Sequence, residues 1–209
     1  GGMGAVYRAR HVHLETDVAI KVLRTEDAHD PEHRIRFVRE ARAAARVQHD
    51  HVIQVLHVSD TDPLHIVMEL VEGETLQQLL SREKKLSLGR SLELLVPVMA
   101  AVQAAHDRGV IHRDLKPSNV VLARQRDQSV KPKVLDFGIA KITRARSSDT
   151  PDAPSPHPEM ELTIEGQHLG TPNYMAPEQW FRAREALPQS DQYALACILY
   201  RCVTGELPF

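Results

Sequence analysis

IHRDLKPSNVV, residues 111–121, sets six polar side chains between an apolar helical run that Gly109 closes and a β-like run that starts near Val120. A glycine just past the last helical residue is a common stop, because it takes a left-handed backbone at little cost. Asp114, Lys116 and Asn119 follow one another at spacings of two and three. An acid, a cation and an amide in one short loop form a set that a merely structural turn does not need.

Working outward, VLDFGIAK (134–141) reads as the end of a buried strand, with Asp136 emerging at its edge and Gly138 permitting a turn. By itself that acid holds a metal ion, holds a cation, or opens a turn. VAIK places Lys21 inside an apolar strand, where an unpaired ammonium is costly. Glu40 is the matching anomaly: it shares a helical face with Phe37, Ala44 and Val47. Each is a partner for the other, unless both reach out to solvent. GGMG (1–4) precedes the strand AVYRAR, and a glycine-rich turn lets backbone N–H groups approach phosphate oxygens, although a plain hairpin turn has the same look. Phosphoryl transfer requires an acceptor for a hydroxyl proton, a cation on the migrating group and oxygen ligands for Mg²⁺. Asp114, Lys116 and Asn119 supply these three.

Composition sets the limits. The 26 basic and 28 acidic residues nearly cancel, leaving −2, so no global field favours nucleic acid. Apolar residues make up 42% but aromatics only 4%, so aliphatic side chains must fill the core. No run of eighteen consecutive apolar residues occurs, and no membrane segment is expected within the chain. Cys197 and Cys202 lie in an apolar helical stretch and read as buried free thiols.

Short strands are expected at 5–10, 17–23, 52–58, 64–70, 120–122 and 133–135. Helices are expected at 31–47, with Asp30 as a possible N-cap, and at 75–81, 88–108 and 190–204. In the helix that begins at Leu88, the stripe Leu92, Leu95, Val96, Met99, Val102 is expected to face the core, with Pro97 kinking it. RARSSDTPDAPSPHP (144–158) is rich in Ser, Pro and Asp and reads as a mobile loop.

Taken in order, GGMGAV, VAIK, FVREA, HRDLKPSN, DFG, GTPNYMAPE and SDQYALACILY resemble the motifs of the protein kinases, in particular the eukaryotic-like Ser/Thr kinases of bacteria. The resemblance covers essentially the whole chain. It implies an α+β, two-lobed fold, with a small β-rich lobe over residues 1–70 and a mainly helical lobe over 71–209. Both lobes are expected to be partial, as the chain opens on Gly1 and stops at Phe209.

The role assignments are carried over from the family, a worked case of phosphoryl transfer. Gly1 and Gly4 match the second and third glycines of the phosphate loop; Val6, Ala19 and Val121 enclose the adenine, with Met68 at the gatekeeper position. Lys21 contacts phosphates and pairs with Glu40, and the backbone of Glu69 and Val71 bonds the adenine edge. Asp114 is the catalytic base, Lys116 contacts the γ-phosphate, and Asn119 with Asp136 holds Mg²⁺. Thr171 faces the base. Arg113 receives an activating phosphate from the 138–176 loop, for which Thr163 is the first choice and Ser147 and Ser148 are rivals.

Asp191 braces the catalytic loop, His112 packs beneath Phe137, Ala44 leaves a loosely filled spine, and Glu178 pairs with an arginine outside this chain. The implied ligands are ATP and Mg²⁺. The implied partners are proteins bearing Ser or Thr and a second kinase molecule for phosphorylation in trans, with no nucleic acid. The implied setting is the cytoplasm, in a longer protein that in bacterial relatives is often membrane-anchored. A pseudokinase that binds nucleotide without turnover is the alternative; Lys21, Asp114 and Asp136 argue against it, and GTPNYMAPE and Lys116 argue against a small-molecule phosphotransferase.

Overall fold

The computed structural model describes residues 4–23, 31–137, 172–181 and 187–209. Four strands, β1 (Gly4–Arg10), β2 (Asp17–Leu23), β3 (Val55–Ser59) and β4 (His65–Glu69), form an antiparallel sheet in the order β1-β2-β4-β3. Antiparallel partners share a face, so the register Val6↔Lys21, Ala19↔Met68 and Lys21↔Ile66 puts Val6, Ala19, Lys21 and Met68 on one side of it.

Helix α1 (Pro31–Ala45) lies against β3. It buries Phe37 and Ala44, from the face read from the sequence, together with Ala41 against a core that includes Leu23, Leu64 and Ile66. A small cavity of about 20 Å³ between Ala44, Ile66, Met68, Val134 and Phe137 matches the loose spine expected at Ala44. The expected cap Asp30 falls outside the described residues.

A second sheet follows, β5 (Gly73–Thr75), β6 (Val120–Arg124) and β7 (Val130–Val134), in that order. Both β6 and β7 extend further toward the turn between them than their apolar cores suggested, because the hairpin continues pairing to Arg124↔Val130. Helix α2 (Leu76–Glu83) starts at a capping box in which Thr75 and Gln78 satisfy each other's backbone N–H groups. Helix α3 (Leu88–His106) is followed by Gly109 at φ +70°, in the left-handed region expected of it. Helices α4 (Pro177–Phe181) and α5 (Pro188–Thr204) complete the described chain.

The buried face of α3 differs from the expected stripe. Leu94, Leu95, Val98, Ala101, Val102 and Ala105 are buried, whereas Leu92 and Val96 are exposed. The alanines explain the rotation, since small side chains let α3 pack closely against α5 and β7. By length and hydropathy α3 is the one described helix that could cross a membrane, yet five of its residues, Ser91, Leu95, Val98, Ala101 and Ala105, are wholly inaccessible inside the core. Cys197 and Cys202 are free, buried thiols as expected, and burial pushes the Cys202 thiol up to about 11.

The segment before β3 stitches the two sheets together. Ile53 N–H donates to the Val134 carbonyl at 3.0 Å, and Val134 N–H to that of His51 at 2.8 Å. A side chain repeats the link: Lys133 Nζ lies 2.6 Å from Glu69 Oε1, joining the end of β4 to β7.

Gly73 marks the tightest approach between strands. A Cβ built there would stand 2.1 Å from the Leu122 carbonyl oxygen, a backbone atom of β6 that cannot move aside alone. Gly73→Ala is expected to cost about 2 kcal/mol, the usual scale of overpacking, read as a lower urea midpoint. An unchanged midpoint would show that β5 shifts freely.

Candidate active site

The loop after α3 is held by one acid. Asp191, in the first turn of α5, is 1% exposed, and its two carboxylate oxygens accept the N–H groups of His112 (2.8 Å) and Arg113 (2.9 Å). His106 Nε2, at the end of α3, lies 2.7 Å from Asp191 Oδ2. A buried carboxylate is tolerable only with such partners, and here every contact fixes backbone or a helix end. The sequence placed Asp191 in this bracing position; His106 was not anticipated.

Gln179, which no motif reading singled out, holds the loop from the other side. Its Nε2 donates to the Arg113 carbonyl at 3.0 Å, and its Oε1 accepts from Ala176 N–H at 3.2 Å. Arg113 takes φ +65°, a left-handed backbone that a non-glycine residue keeps only when its surroundings hold it. The His112 ring is fully buried, donates from Nε2 to the Leu135 carbonyl at 2.8 Å, and lies 4.9 Å from the Phe137 ring, the packing read from the sequence.

This frame brings the loop's polar side chains to one point. Lys116 Nζ is 2.8 Å from Asp114 Oδ2. Asn119 Nδ2 donates to the Asp114 carbonyl at 2.8 Å and to Asp114 Oδ2 at 3.3 Å. The Asn119 carbonyl in turn accepts from Leu135 N–H at 2.9 Å, which ties this cluster to the residue before Asp136. Asp136 also has a left-handed backbone, at φ +56°.

Lys21 needs a carboxylate, and the one beside it is Asp136, 2.8 Å from Nζ. The expected pairing with Glu40 is therefore not the ion pair found for Lys21. Glu40 Oε1 instead stands 3.7 Å from Arg113 Nη1, because α1 turns this carboxylate toward the loop and the end of β7 delivers Asp136 to the sheet. Glu178 gains a partner that was not expected. It accepts from the Ser190 hydroxyl at 2.6 Å, which holds its carboxyl below the usual range, while the arginine expected to pair with it lies outside this chain.

Val6, Ala19 and Met68 share the Lys21 face of the upper sheet, and Val121 lies on β6. Val71 lies in the link between β4 and β5. Gly4 begins β1, whereas Gly1, Thr163 and Thr171 fall outside the described residues, as do Ser147 and Ser148.

A lysine on one sheet, an acid at the end of the other and an acid–lysine–amide loop between them make the arrangement that the sequence motifs share with kinases. Comparison decides the matter: the protein kinase domain family matches residues 1–209. The chain belongs to the protein kinase family. Among curated relatives, the kinase domain is 45% identical to the serine/threonine-protein kinase pkn3 of Myxococcus xanthus, over all of this chain and 37% of that one. It is 38% identical to PknH of Mycobacterium tuberculosis, over all of this chain and 30% of that protein. The chain thus spans about a third of the length of these relatives. The crystal structure of the M. tuberculosis PknI kinase domain matches with a TM-score of 0.73 at 30% identity, covering all of this chain and 72% of that one.

The Asp191 clamp generates a prediction. Asp191→Asn keeps the shape but loses the charge and offers one acceptor oxygen where two N–H groups converge. It is expected to destabilise the intact protein by about 3 kcal/mol, measured by urea unfolding. Stability equal to that of the parent would remove the clamp from the structure's essential contacts.

Proposed function

We propose that this chain is the catalytic domain of a Ser/Thr protein kinase that moves the γ-phosphoryl group of ATP, with Mg²⁺, to Ser or Thr hydroxyls of proteins. The observation that carries the reading is the convergence of Asp114, Lys116 and Asn119 within 3.3 Å, in a loop bonded to the strand end that presents Asp136. In this reading Asp114 receives the proton of the attacking hydroxyl as the new O–P bond forms and the bond to the nucleotide's β-phosphate oxygen breaks. Lys116, in contact with Asp114, neutralises charge on the migrating group. Lys21 holds the α- and β-phosphates.

Among the described residues no three His, Cys, Asp or Glu side chains form a metal cluster. Mg²⁺ does not need one, because it is commonly held by one or two protein oxygens together with substrate phosphates. Asn119 and Asp136 suit that mode. Bound there, the ion offsets phosphate charge. Glu69 uses its N–H on the Gln54 carbonyl at 3.0 Å, so its adenine contact is assigned to its carbonyl, with Val71 supplying an N–H. The lobes divide at 70/71, beside that contact. We assign the domain to the cytoplasm, where ATP is available, and its own phosphorylation to a second kinase molecule acting in trans with ATP as the donor.

Regulation is assigned to the 138–176 segment, with a phosphate on Thr163 docking on Arg113. Support comes from Arg113 itself: its Nε is buried and has no hydrogen-bond partner among the described residues, and Glu40 approaches only to 3.7 Å. An anion there would satisfy a cation that is otherwise under-bonded.

The test uses the full-length protein, radiolabelled ATP and a Ser/Thr peptide mixture. Asp114→Asn is expected to lower transfer about 10²–10⁴-fold with nucleotide binding largely retained. Asp136→Asn is expected to weaken Mg²⁺-dependent ATP binding itself. Full transfer by Asp114→Asn sinks the assignment, and no transfer by the parent protein favours the pseudokinase. In the same assay Thr163→Ala should block activation; normal activation of that variant alongside failure of a Ser147/Ser148 double substitution would move the site to the other end of the loop.

A further inference from the structure

The amide of Gln179 spends its two ends on two different tasks. Gln179 is the third residue of α4, and Ala176 stands just before that helix. Gln179 N–H donates to the Ala176 carbonyl at 2.9 Å, while Gln179 Oε1 accepts from Ala176 N–H at 3.2 Å. A Glu or Gln that reaches back from the third helical position is a common way to start a helix, and it needs only an acceptor oxygen. Capping does not account for the other end of the amide. Its Nε2 donates to the Arg113 carbonyl at 3.0 Å, across 66 positions of chain.

A glutamate at 179 would cap equally well, but it would turn an acceptor toward the Arg113 carbonyl, itself an acceptor. The need for Gln therefore comes from the loop and not from the helix. The link is sheltered as well: Gln179 is 6% exposed and Ala176 1%, so the bond is not readily replaced by one to water.

Arg113 gives this link its leverage. Asp191 fixes its N–H, Gln179 fixes its carbonyl, and Asp114 follows directly. The groups assigned to ATP and Mg²⁺ come from elsewhere: Lys21 from β2, Asn119 from the residue before β6, and Asp136 from just beyond β7. None of them comes from residues 172–181. Under the proposed function, on which this inference rests, the stretch that ends at Ala176 is left to place the acceptor hydroxyl.

We propose that Gln179 is a positioning residue for the acceptor. Through the Arg113 carbonyl it sets the register of residues 172–176 against Asp114, so that a Ser or Thr side chain held on that stretch meets the base. Without the link, Asp191 still holds His112 and Arg113 by their N–H groups. The nucleotide side of the loop then keeps its shape while the acceptor side slides, and a displacement of about 1 Å is enough to cost about 10²-fold in rate.

The test compares Gln179→Glu with the parent, both as full-length proteins, in two assays. One follows phosphate transfer to a Ser/Thr peptide; the other follows hydrolysis of Mg·ATP without peptide, where water takes the place of the hydroxyl. Gln179→Glu keeps the cap and breaks the link. It is expected to lower kcat/KM for peptide about tenfold or more, with KM for ATP and peptide-free hydrolysis within about twofold of the parent. Should that protein fail to fold, Gln179→Met, which brings no buried charge, is expected to show the same split. Capping alone predicts parental peptide kinetics for Gln179→Glu, and that result overturns the proposal. Equal losses in both assays overturn it too, because they would make Gln179 a support of the whole loop. Absence of transfer by the parent removes the kinase reading and this inference with it, whereas transfer by the parent and equally by Gln179→Glu removes this inference alone.

Discussion

One buried carboxylate organises the lower half of this molecule. Asp191 ends two backbone N–H groups and one imidazole on a single side chain, and those three groups belong to the loop that follows α3 and to the end of α3. Leu115 and Pro117 anchor the loop by packing, and the bonds from Asp191 fix the backbone of the residues before them. Gln179 closes the opposite side through the Arg113 carbonyl. With its backbone bonded from two directions, Arg113 keeps a left-handed conformation, and Asp114 and Lys116 follow at fixed positions. Such strain persists where surroundings over-determine it, which suits a site that must present charged groups without reorganising.

The upper half meets this frame through charges. Lys21 crosses to Asp136, Glu40 approaches Arg113, and Lys133 joins Glu69 at the seam between the sheets. All three contacts involve residues assigned to nucleotide or phosphate binding. Under the proposed function, a phosphate near Arg113 would compete with Glu40 and a nucleotide near Lys21 with Asp136. The α1 helix takes part through Glu40, which it turns toward the loop.

Local chemistry was legible in the sequence. Gly109 ends its helix in the left-handed region, Lys21 sits on a central strand, and His112 packs on Phe137, each signalled by residue type and immediate neighbours. The motif order identified the family and placed Asp191 as a brace. What the sequence hid was tertiary. The buried face of α3 is set by alanines that permit close approach, whereas the large residues Leu92 and Val96 drew attention and proved exposed. His106, Gln179 and Ser190 act across 85, 66 and 12 positions of chain, and a polar residue in a helix carries no mark of so distant a partner. Lys21 illustrates the remaining gap: its need for a carboxylate was evident, but choosing between Glu40 and Asp136 depends on where a helix and a strand end come to rest.

Native-state hydrogen exchange at the His112 and Arg113 amides probes the central clamp most directly. Bonded to a buried carboxylate, both amides are expected to exchange as slowly as those in the middle of α3 and α5, opening only with global unfolding. Exchange at the rate of exposed loop amides, while α3 and α5 stay protected, would contradict the clamp and the rigid loop that depends on it.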